Sequence, residues 1–243
     1  MHALETPRFE TDTQERLYEY VERNGAVTTD ELEAAFSMAP RRVTESIATL
    51  EADGYLESEG GVLRIAIETG AETEHTIDDL TFTIRPAEQN DLTGIVSVMR
   101  EVAEQNDYLI AETVVDLLDR EEVVFRHNDI ESRIFFVATV DDKVIGWVHL
   151  HSPNYAKLAH TAELTMGVVA KYRDHGIGSQ LMERGLKWAE SNGYEKVYQS
   201  LPATNQAAVR FLEDHRWETE AIRQAHYKID DEYVAEQMMA VIL

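Results

Sequence analysis

Residues 165–179 of this chain, TMGVVAKYRDHGIGS, predict a buried strand, a glycine turn and the start of a helix. The apolar run before the turn is typical of a strand, and Gly176 and Gly178 mark the turn itself. The first N–H groups of a helix have no partner within it and lie at the positive end of its dipole. Because glycines let the backbone approach a ligand closely, this arrangement favours the binding of phosphate. The alternative is an ordinary strand-to-helix turn without a ligand.

Arg173 stands at the same turn, where a guanidinium adds charge-assisted contacts to phosphate. The spacing differs from two common phosphate-binding motifs. The dinucleotide fingerprint needs three glycines and an acidic residue about 20 positions later. The P-loop needs a Gly-Lys-Ser/Thr sequence, which does not follow here.

The order Val168, Arg173, Gly176, Gly178 resembles the acetyl-coenzyme A signature of the GNAT superfamily of N-acetyltransferases. That signature is Arg/Gln-x-x-Gly-x-Gly/Ala, after a strand that ends in a valine and before a long helix. The resemblance covers residues 81–243, and it implies the mixed α/β GNAT acyltransferase fold. It also implies acetyl transfer from acetyl-CoA to a primary amine by direct attack in a ternary complex. The cofactor site that it implies consists of Val168, Val169, Arg173, Asp174, His175, Gly176, Ile177, Gly178, Ser179, Asn205, Ala208 and Phe211.

Glu163 lies within the strand predicted at residues 162–170, where a carboxylate is costly unless it is paired or solvated. An acceptor amine arrives mostly as ammonium, since the pKa of a free lysine is about 10.4. A nearby carboxylate can remove that proton directly or through water, and the resemblance implies this role for Glu163. The alternative is an edge carboxylate paired with an arginine or with His160, because a register shift of one residue moves the side chain to the other face.

Leu212 occupies the position at which many family members carry a tyrosine that protonates the leaving thiolate. A leucine side chain has no proton to donate, so the acid is either water or Tyr227 in the last predicted hairpin. Because a thiol pKa is only about 8.5, a thiolate is a tolerable leaving group. The substitution therefore changes a detail of the mechanism and leaves the class of reaction intact.

His149 and His151 share one face of a predicted strand, and His160 follows nearby, so a metal site is conceivable. The sequence offers no supporting motif, and the implied chemistry needs no metal. We therefore expect hydrogen-bonded histidines at the end of a strand, or a histidine that lines the acceptor pocket, and no metal cofactor.

The chain carries 46 acidic and 22 basic residues, a formal net charge of −24, and the acidic residues are spread along its whole length. A uniformly acidic surface predicts a source with a very salty cytoplasm, since charges are screened within about 3 Å at 1 M salt. The absence of cysteine excludes disulfides and thiolate chemistry. The first residues lack a signal-peptide pattern, and no apolar run approaches the roughly 18 residues of a membrane span. We therefore expect a cytoplasmic protein.

Residues 9–67 predict a separate small domain. Helices are expected at residues 13–24, 31–36 and 40–52, followed by a hairpin within residues 55–67. Three helices and a hairpin resemble a winged helix-turn-helix, which implies DNA binding with Arg41, Arg42 and Arg64 on phosphates. The segment holds 5 basic and 13 acidic residues, whereas DNA-binding domains are usually basic. A protein-docking or dimerisation module is the alternative, and a homodimer remains open.

Residues 68–80 are polar and aperiodic and predict a linker. The second domain, residues 81–243, then begins with a short strand at residues 82–84. Helices are expected at residues 91–104 and 114–125, and a hairpin at residues 134–150. After the signature helix we expect a strand at 196–201, a helix at 205–214 and two closing strands at 219–228 and 233–243.

Overall fold

The computed structural model describes residues 7–36, 38–106 and 109–243 of the chain. Its first part is a unit of three helices and a three-stranded antiparallel sheet with the order β1-β3-β2. The elements are α1 (Asp12–Asn24), β1 (Val27–Thr28), α2 (Thr29–Ala35), α3 (Pro40–Ala52), β2 (Leu56–Glu59) and β3 (Val62–Ile65). The three expected helices and the hairpin are confirmed, with helix ends within two residues of the prediction.

Local sequence signals explain why these helices begin where they do. Thr28 accepts a hydrogen bond from the Glu31 backbone N–H, and the Glu31 carboxylate accepts one from the Thr28 N–H, which is a capping box. Thr11 and Gln14 form a second capping box at the start of α1. The unit has a hydrophobic core of its own, centred on the fully buried side chains Leu17, Leu32, Val43, Leu50 and Leu63.

The rest of the chain is built on one nine-stranded sheet, with helices on both faces. Eight of the strands lie side by side in the order β11-β12-β10-β9-β8-β7-β5-β4. The ninth strand, β6, lies outside this order and pairs with β7. The pairing of β9 with β10 is parallel and the other pairings are antiparallel, so the sheet is mixed. The elements are β4 (Thr73–Ile77), β5 (Leu80–Pro86), α4 (Leu92–Asn106), α5 (Leu109–Glu121), β6 (Arg126–His127), β7 (Glu131–Val140), β8 (Lys143–Pro153), β9 (Thr161–Val168), α6 (Ile177–Ser191), β10 (Lys196–Pro202), α7 (Gln206–Asp214), β11 (Glu218–Ile229) and β12 (Glu232–Ile242).

The segment at residues 68–80 differs from the expected linker. Residues Thr73–Ile77 form β4, which pairs antiparallel with β5 and becomes an edge of the large sheet. The preceding residues lie against α6, where Arg184 donates to the Thr69 carbonyl and Trp188 donates to the Glu68 carbonyl. The sequence of this strand is polar because the strand is largely exposed. Pairing with β5 stabilises it, and its own composition carries no strand signal.

Helix α5 also differs from its prediction. It was expected at residues 114–125, and it spans Leu109–Glu121. Glu122 has a φ of +56°, a left-handed conformation that ends the helix. Val123 and Val124 are buried beyond the helix end. These apolar residues therefore belong to the segment that follows the helix and are not part of its buried face.

Two hydrophobic clusters cover the two faces of the large sheet. One lies under α6 and α7 and includes Leu181, Val209 and Leu212. The other lies under α4 and α5 and includes Ile95, Leu118 and Trp147, which is also fully buried. Along β9, successive side chains alternate between these two faces.

Candidate functional site

The strands β9 and β10 separate in the middle of the large sheet. They pair only from Lys196 opposite Thr161 to Tyr198 opposite Glu163. Beyond these pairs, β9 continues with β8 as far as Val168, and β10 continues with β12 as far as Pro202. The gap between the two strands is occupied by a cavity of about 440 Å³ on the α6 and α7 side of the sheet.

Backbone groups on both strands face this gap. The Val169 N–H donates to the Ile145 carbonyl, and hydrogen-bonding directions alternate along an antiparallel strand. The N–H and carbonyl groups of Val168 and Met166 therefore point away from β8 and toward β10. By the same alternation, the bond from the Ala203 N–H to the Ala235 carbonyl turns the backbone groups of Ser200 toward β9. An extended ligand in the gap can pair with these groups as an added strand does.

The glycine turn closes one end of the cavity. Gly176 is the N-cap of α6, with a φ of +70° and no side-chain cap, so the first N–H groups of α6 are open to a ligand. A Cβ at this position would lie 2.8 Å from Cδ1 of Ile77, so a larger residue would be strained by the backbone conformation and would also displace the end of the Ile77 side chain. The Arg173 Nε donates to the Val168 carbonyl at 2.9 Å, which holds its guanidinium beside the turn. This end of the cavity has the donors and the positive charge that a phosphate group requires.

The cavity wall contains nine of the twelve residues that the sequence assigned to the cofactor: Val168, Arg173, Asp174, Gly176, Gly178, Ser179, Asn205, Ala208 and Phe211. The side chains of Val169, His175 and Ile177 are placed elsewhere. Ile177 is buried in the core under α6, and Val169 packs in the cluster under α4. The His175 ring lies 2.7 Å from the Arg173 carbonyl through Nδ1.

Asn205 joins the wall because it is the N-cap of α7. Its Oδ1 accepts from the Ala208 N–H at 3.2 Å, which leaves the amide Nδ2 as a donor for a ligand. Leu212, at the position where the family commonly has a tyrosine, is buried and lies on the wall. A leucine side chain, which has no hydroxyl, therefore occupies that point of the cavity wall.

Sequence reasoning missed several wall residues: Val102, Met166, Gly167, Gln199, Leu201 and Ala207. Gln199 is 4% exposed, and a polar side chain inside the apolar strand 196–201 was a usable signal. Gly167 lacks a side chain because a Cβ there would lie 2.3 Å from the Trp147 ring. The other wall residues are apolar and could not be told from ordinary core residues.

Glu163 lies at the point where β9 and β10 begin to separate, on the face opposite the cavity. Its nearest neighbours in the sheet are His151 on β8 and Tyr198 on β10. Burial raises the pKa of the Glu163 carboxyl, His151 opposes that rise, and Glu236 adds to it. Within the part of the chain that the structure describes, no group forms a hydrogen bond or ion pair with Glu163. A half-buried carboxylate without a partner is suited to accept a proton or to bind a cation.

Tyr227 lies on β11 and does not line the cavity. Its hydroxyl donates to Glu236 Oε1 at 3.1 Å. Burial, with the adjacent Glu236 charge and hydrogen bond, raises the pKa of Tyr227, so the phenol keeps its proton. Glu236 is 5% exposed and lies within ion-pair distance of Arg223 and His226.

His149 and His151 lie on the expected common face, with ring centroids 6.4 Å apart. Thr165 Oγ1 lies 3.1 Å from His149 Nδ1, and Glu131 Oε2 lies 3.0 Å from His151 Nε2. Burial, followed by the charges of His151 and Arg133, lowers the pKa of His149 well below its ordinary value. Across residues 7–36, 38–106 and 109–243, no three histidine or carboxylate side chains form a group that could hold a metal ion.

None of the helices in the same ranges is both long and apolar enough to span a bilayer.

Residues 100–216, just under half of the chain, match the sequence model of the "Acetyltransferase (GNAT) family". Solved structures with the same fold include an acetyltransferase of the GNAT family from Streptococcus pneumoniae, with 21% identity and a TM-score of 0.56. That match covers 67% of this chain and 99% of the other. A GCN5-related N-acetyltransferase from Kribbella flavida matches with 22% identity and a TM-score of 0.55, over 67% and 98% of the two chains. No curated protein sequence matches the chain.

A third structure is the ribosomal-protein-S18-alanine N-acetyltransferase from Escherichia coli, with 18% identity and a TM-score of 0.52. That match covers 66% of this chain and 93% of the other. Together the fold, the gap between β9 and β10 and the family match define the class of protein. Residues 100–216 form a GNAT acetyltransferase domain, and the protein is an acyltransferase.

Proposed function

We propose that this protein transfers an acetyl group from acetyl-CoA to a primary amine by direct attack within a ternary complex. The observation that carries the proposal is the gap between β9 and β10, which ends at the uncapped start of α6. When bound, acetyl-CoA supplies an acyl group already activated as a thioester. Residues 173–179 would hold its pyrophosphate, and the backbone groups of Val168 and Ser200 would pair with its extended arm.

Glu163 is the proposed general base. Its face of the sheet is the one opposite the coenzyme cavity, so an amine could approach the gap from there. Its carboxylate has no partner among the described residues and its pKa is raised, which makes it a better proton acceptor than an exposed glutamate. It would take a proton from the incoming ammonium before the bond to carbon forms.

The general acid is proposed to be water or Tyr227. Leu212 cannot donate a proton, and the Tyr227 hydroxyl is directed to Glu236 in the structure. Tyr227 could serve only if its hydroxyl turned from Glu236 toward the gap. Because a thiol pKa is about 8.5, release of the thiolate to water is also adequate.

The acceptor is an amine whose size is left open. One structure of similar fold acts on the alanine of ribosomal protein S18, and another is a spermidine N-acetyltransferase chimera that includes Vibrio cholerae sequence. The acceptors that these two names give are primary amines, one on a protein and one on a small molecule. Both kinds therefore belong in the acceptor screen.

A second candidate function is DNA binding by residues 9–67, with the GNAT domain as a sensor of acetyl-CoA or an amine. The order of helices and hairpin favours a winged helix. The charge opposes it, and the exposed Arg41 on α3 is paired with Glu45 at 2.7 Å. Retention of labelled DNA that changes with acetyl-CoA would favour this function. A protein substrate whose acetylation depends on residues 9–67, without DNA binding, would favour a docking role.

We further propose adaptation to high salt, from the net charge of −24. Screening at multimolar KCl reduces the mutual repulsion of the carboxylates. Binding measurements should therefore be made at multimolar KCl. Thermal unfolding at rising KCl tests this adaptation, and a melting temperature that does not rise with salt would contradict it.

The coenzyme site is tested by calorimetric titration with acetyl-CoA of the wild type, Gly178→Asp and Gly178→Ala. A Cβ at Gly178 meets the Phe211 ring at an ordinary 3.4 Å, so both variants should fold. The aspartate places a negative charge at the start of α6 and should weaken binding at least ~100-fold, by about 3 kcal/mol. The alanine, which adds a methyl group without charge, should bind nearly as the wild type does.

Wild-type protein that is folded and does not bind acetyl-CoA would overturn the proposal. Binding without acetylation of any amine in a screen of peptides, amino acids and polyamines would favour the sensor.

A further inference from the structure

Ser179, a residue of the cavity wall, forms a hydrogen-bonded pair with His215. Ser179 is the third residue of α6, and its Oγ lies 3.0 Å from His215 Nε2. His215 follows the last residue of α7, so the pair joins the start of one helix to the end of another. Ser179 was predicted as a cofactor residue from the sequence, whereas no local pattern pointed to His215.

The partners of the His215 ring determine which way this hydrogen bond runs. Nδ1 lies 2.7 Å from the Phe211 carbonyl oxygen, which can only accept, so Nδ1 carries a hydrogen. In a neutral ring Nε2 is then an acceptor. The single hydroxyl hydrogen of Ser179 is therefore donated to His215, and the Ser179 oxygen presents only lone pairs to the cavity.

This arrangement is unfavourable for a phosphate group. Phosphate oxygens need donors, and the Ser179 hydroxyl has none left while His215 is neutral. When His215 takes a proton, Nε2–H donates to Ser179 Oγ, and the hydroxyl hydrogen becomes available to the cavity. The protonated ring also adds a positive charge next to Ser179, which lies on the cavity wall.

We propose that His215 is a further residue of the coenzyme site, which reverses the Ser179 hydrogen bond and couples coenzyme binding to the uptake of a proton. The inference rests on the proposed function, since it takes acetyl-CoA as the occupant of the cavity. Coupling is reciprocal: a ligand that prefers the protonated ring must bind more tightly at lower pH. The His215 ring faces Ser179 from α6 and the Phe211 ring, whose centroid is 4.3 Å from that of His215.

The test is calorimetric titration with acetyl-CoA near pH 7 in two buffers of different ionisation enthalpy, which gives the protons taken up per molecule bound. The phosphomonoester of the coenzyme also titrates near a pKa of about 6, so comparison with a variant isolates the share of His215. His215→Gln replaces the ring with an amide that can donate to Ser179 Oγ at every pH. His160→Gln, an exposed histidine outside the cavity wall, is the matched control.

We expect the wild type and His160→Gln to take up more protons than His215→Gln, by a substantial fraction of one proton. The wild-type affinity should fall as pH rises, and the His215→Gln affinity should fall less. Ser179→Ala removes the hydroxyl and leaves His215, so it should lose the extra proton uptake and bind about tenfold more weakly. This second variant keeps the test valid if His215→Gln does not fold.

Equal proton uptake by the wild type, His215→Gln and Ser179→Ala would overturn this inference and leave the proposed function standing. Absence of acetyl-CoA binding by the folded wild type would overturn both.

Discussion

Glu22 and Glu163 are two glutamates largely removed from water, and they differ in their surroundings. Glu22, on α1, is 3% exposed and accepts hydrogen bonds from Arg126 Nη1, the His127 N–H and Asn128 Nδ2. Glu163 has no partner in the described chain. A paired buried carboxylate holds residues 9–67 against the GNAT domain, whereas an unpaired one is available for chemistry. In a chain with 46 acidic residues, burial alone does not separate a carboxylate that stabilises the fold from a candidate for catalysis. The hydrogen-bond and ion-pair partners of the carboxylate make that distinction.

A chain of alternating charges connects the two regions. Arg126 pairs with Glu121 as well as Glu22, and Glu121 pairs with Arg133. Glu131 then pairs with Arg133 and with His151, which lies opposite Glu163 in the sheet. Burial opposes the ionisation of Glu131, but the hydrogen bond from His151 and the charge of Arg133 lower its pKa overall. The row of ion pairs ends at His151, and within the described residues no ion pair or hydrogen bond extends it to Glu163.

The largest expected effect is on catalysis. Glu163→Gln should lower kcat by roughly 100- to 10,000-fold, the usual range for loss of a general base. Acetyl-CoA affinity, measured by calorimetry, should stay within about threefold of the wild type, because Glu163 lies outside the cavity. Glu74→Gln, in the exposed part of the edge strand β4, is a surface control. A kcat close to the wild-type value would remove Glu163 as the base.

The next effect is on stability. Glu22→Gln leaves Arg126 without its buried partner and should lower the free energy of unfolding by about 3 kcal/mol. Denaturant unfolding of this variant and of Glu19→Gln, an exposed position on the same helix, measures the difference. An equal loss in the two variants would mean that the buried pairing at Glu22 contributes nothing specific.

The pH profile of kcat/KM gives two smaller effects of opposite sign. Glu163 must be ionised to act, so the rate should fall as pH drops through its raised pKa. His151→Gln removes a group that opposes the rise, and should move this acidic limb to higher pH. Glu236→Gln removes a negative charge, and should move the limb down. A limb that stays in place in both variants would show that Glu163 does not titrate in the reaction.

The smallest effect is a gain in stability at Glu163 itself. A carboxyl whose folded pKa is raised stabilises the fold below its unfolded pKa, and that contribution is lost as pH rises through the folded pKa. Near pH 7, the free energy of unfolding of Glu163→Gln should therefore exceed that of the wild type by about 0.5 kcal/mol. Its melting temperature should be slightly higher for the same reason. Below pH 4 the gain should disappear. A loss of stability near pH 7 would indicate a partner for Glu163.

Much of the cavity wall could be predicted because its parts are adjacent in sequence. Arg173, Gly176, Gly178 and Ser179 lie on one turn, and the backbone conformation of that turn depends on local residues. Asn205 was also found, since an N-cap is a local signal. His215 was missed because it meets Ser179 only through the packing of α7 against α6. Val169 and Ile177 were assigned to the site although their side chains belong to the core, because sequence adjacency does not give side-chain direction.

The fold class, the position of the glycine turn and most helix boundaries could be predicted from the sequence, since these follow from periodicity, glycines and caps within a few residues. The three-dimensional packing was needed to show which strands separate, that residues 73–77 form an edge strand, and which of the many carboxylates are paired. Those features depend on residues that are distant in sequence, such as Glu22 with Arg126. Their energies come from burial and from partners that no local pattern specifies.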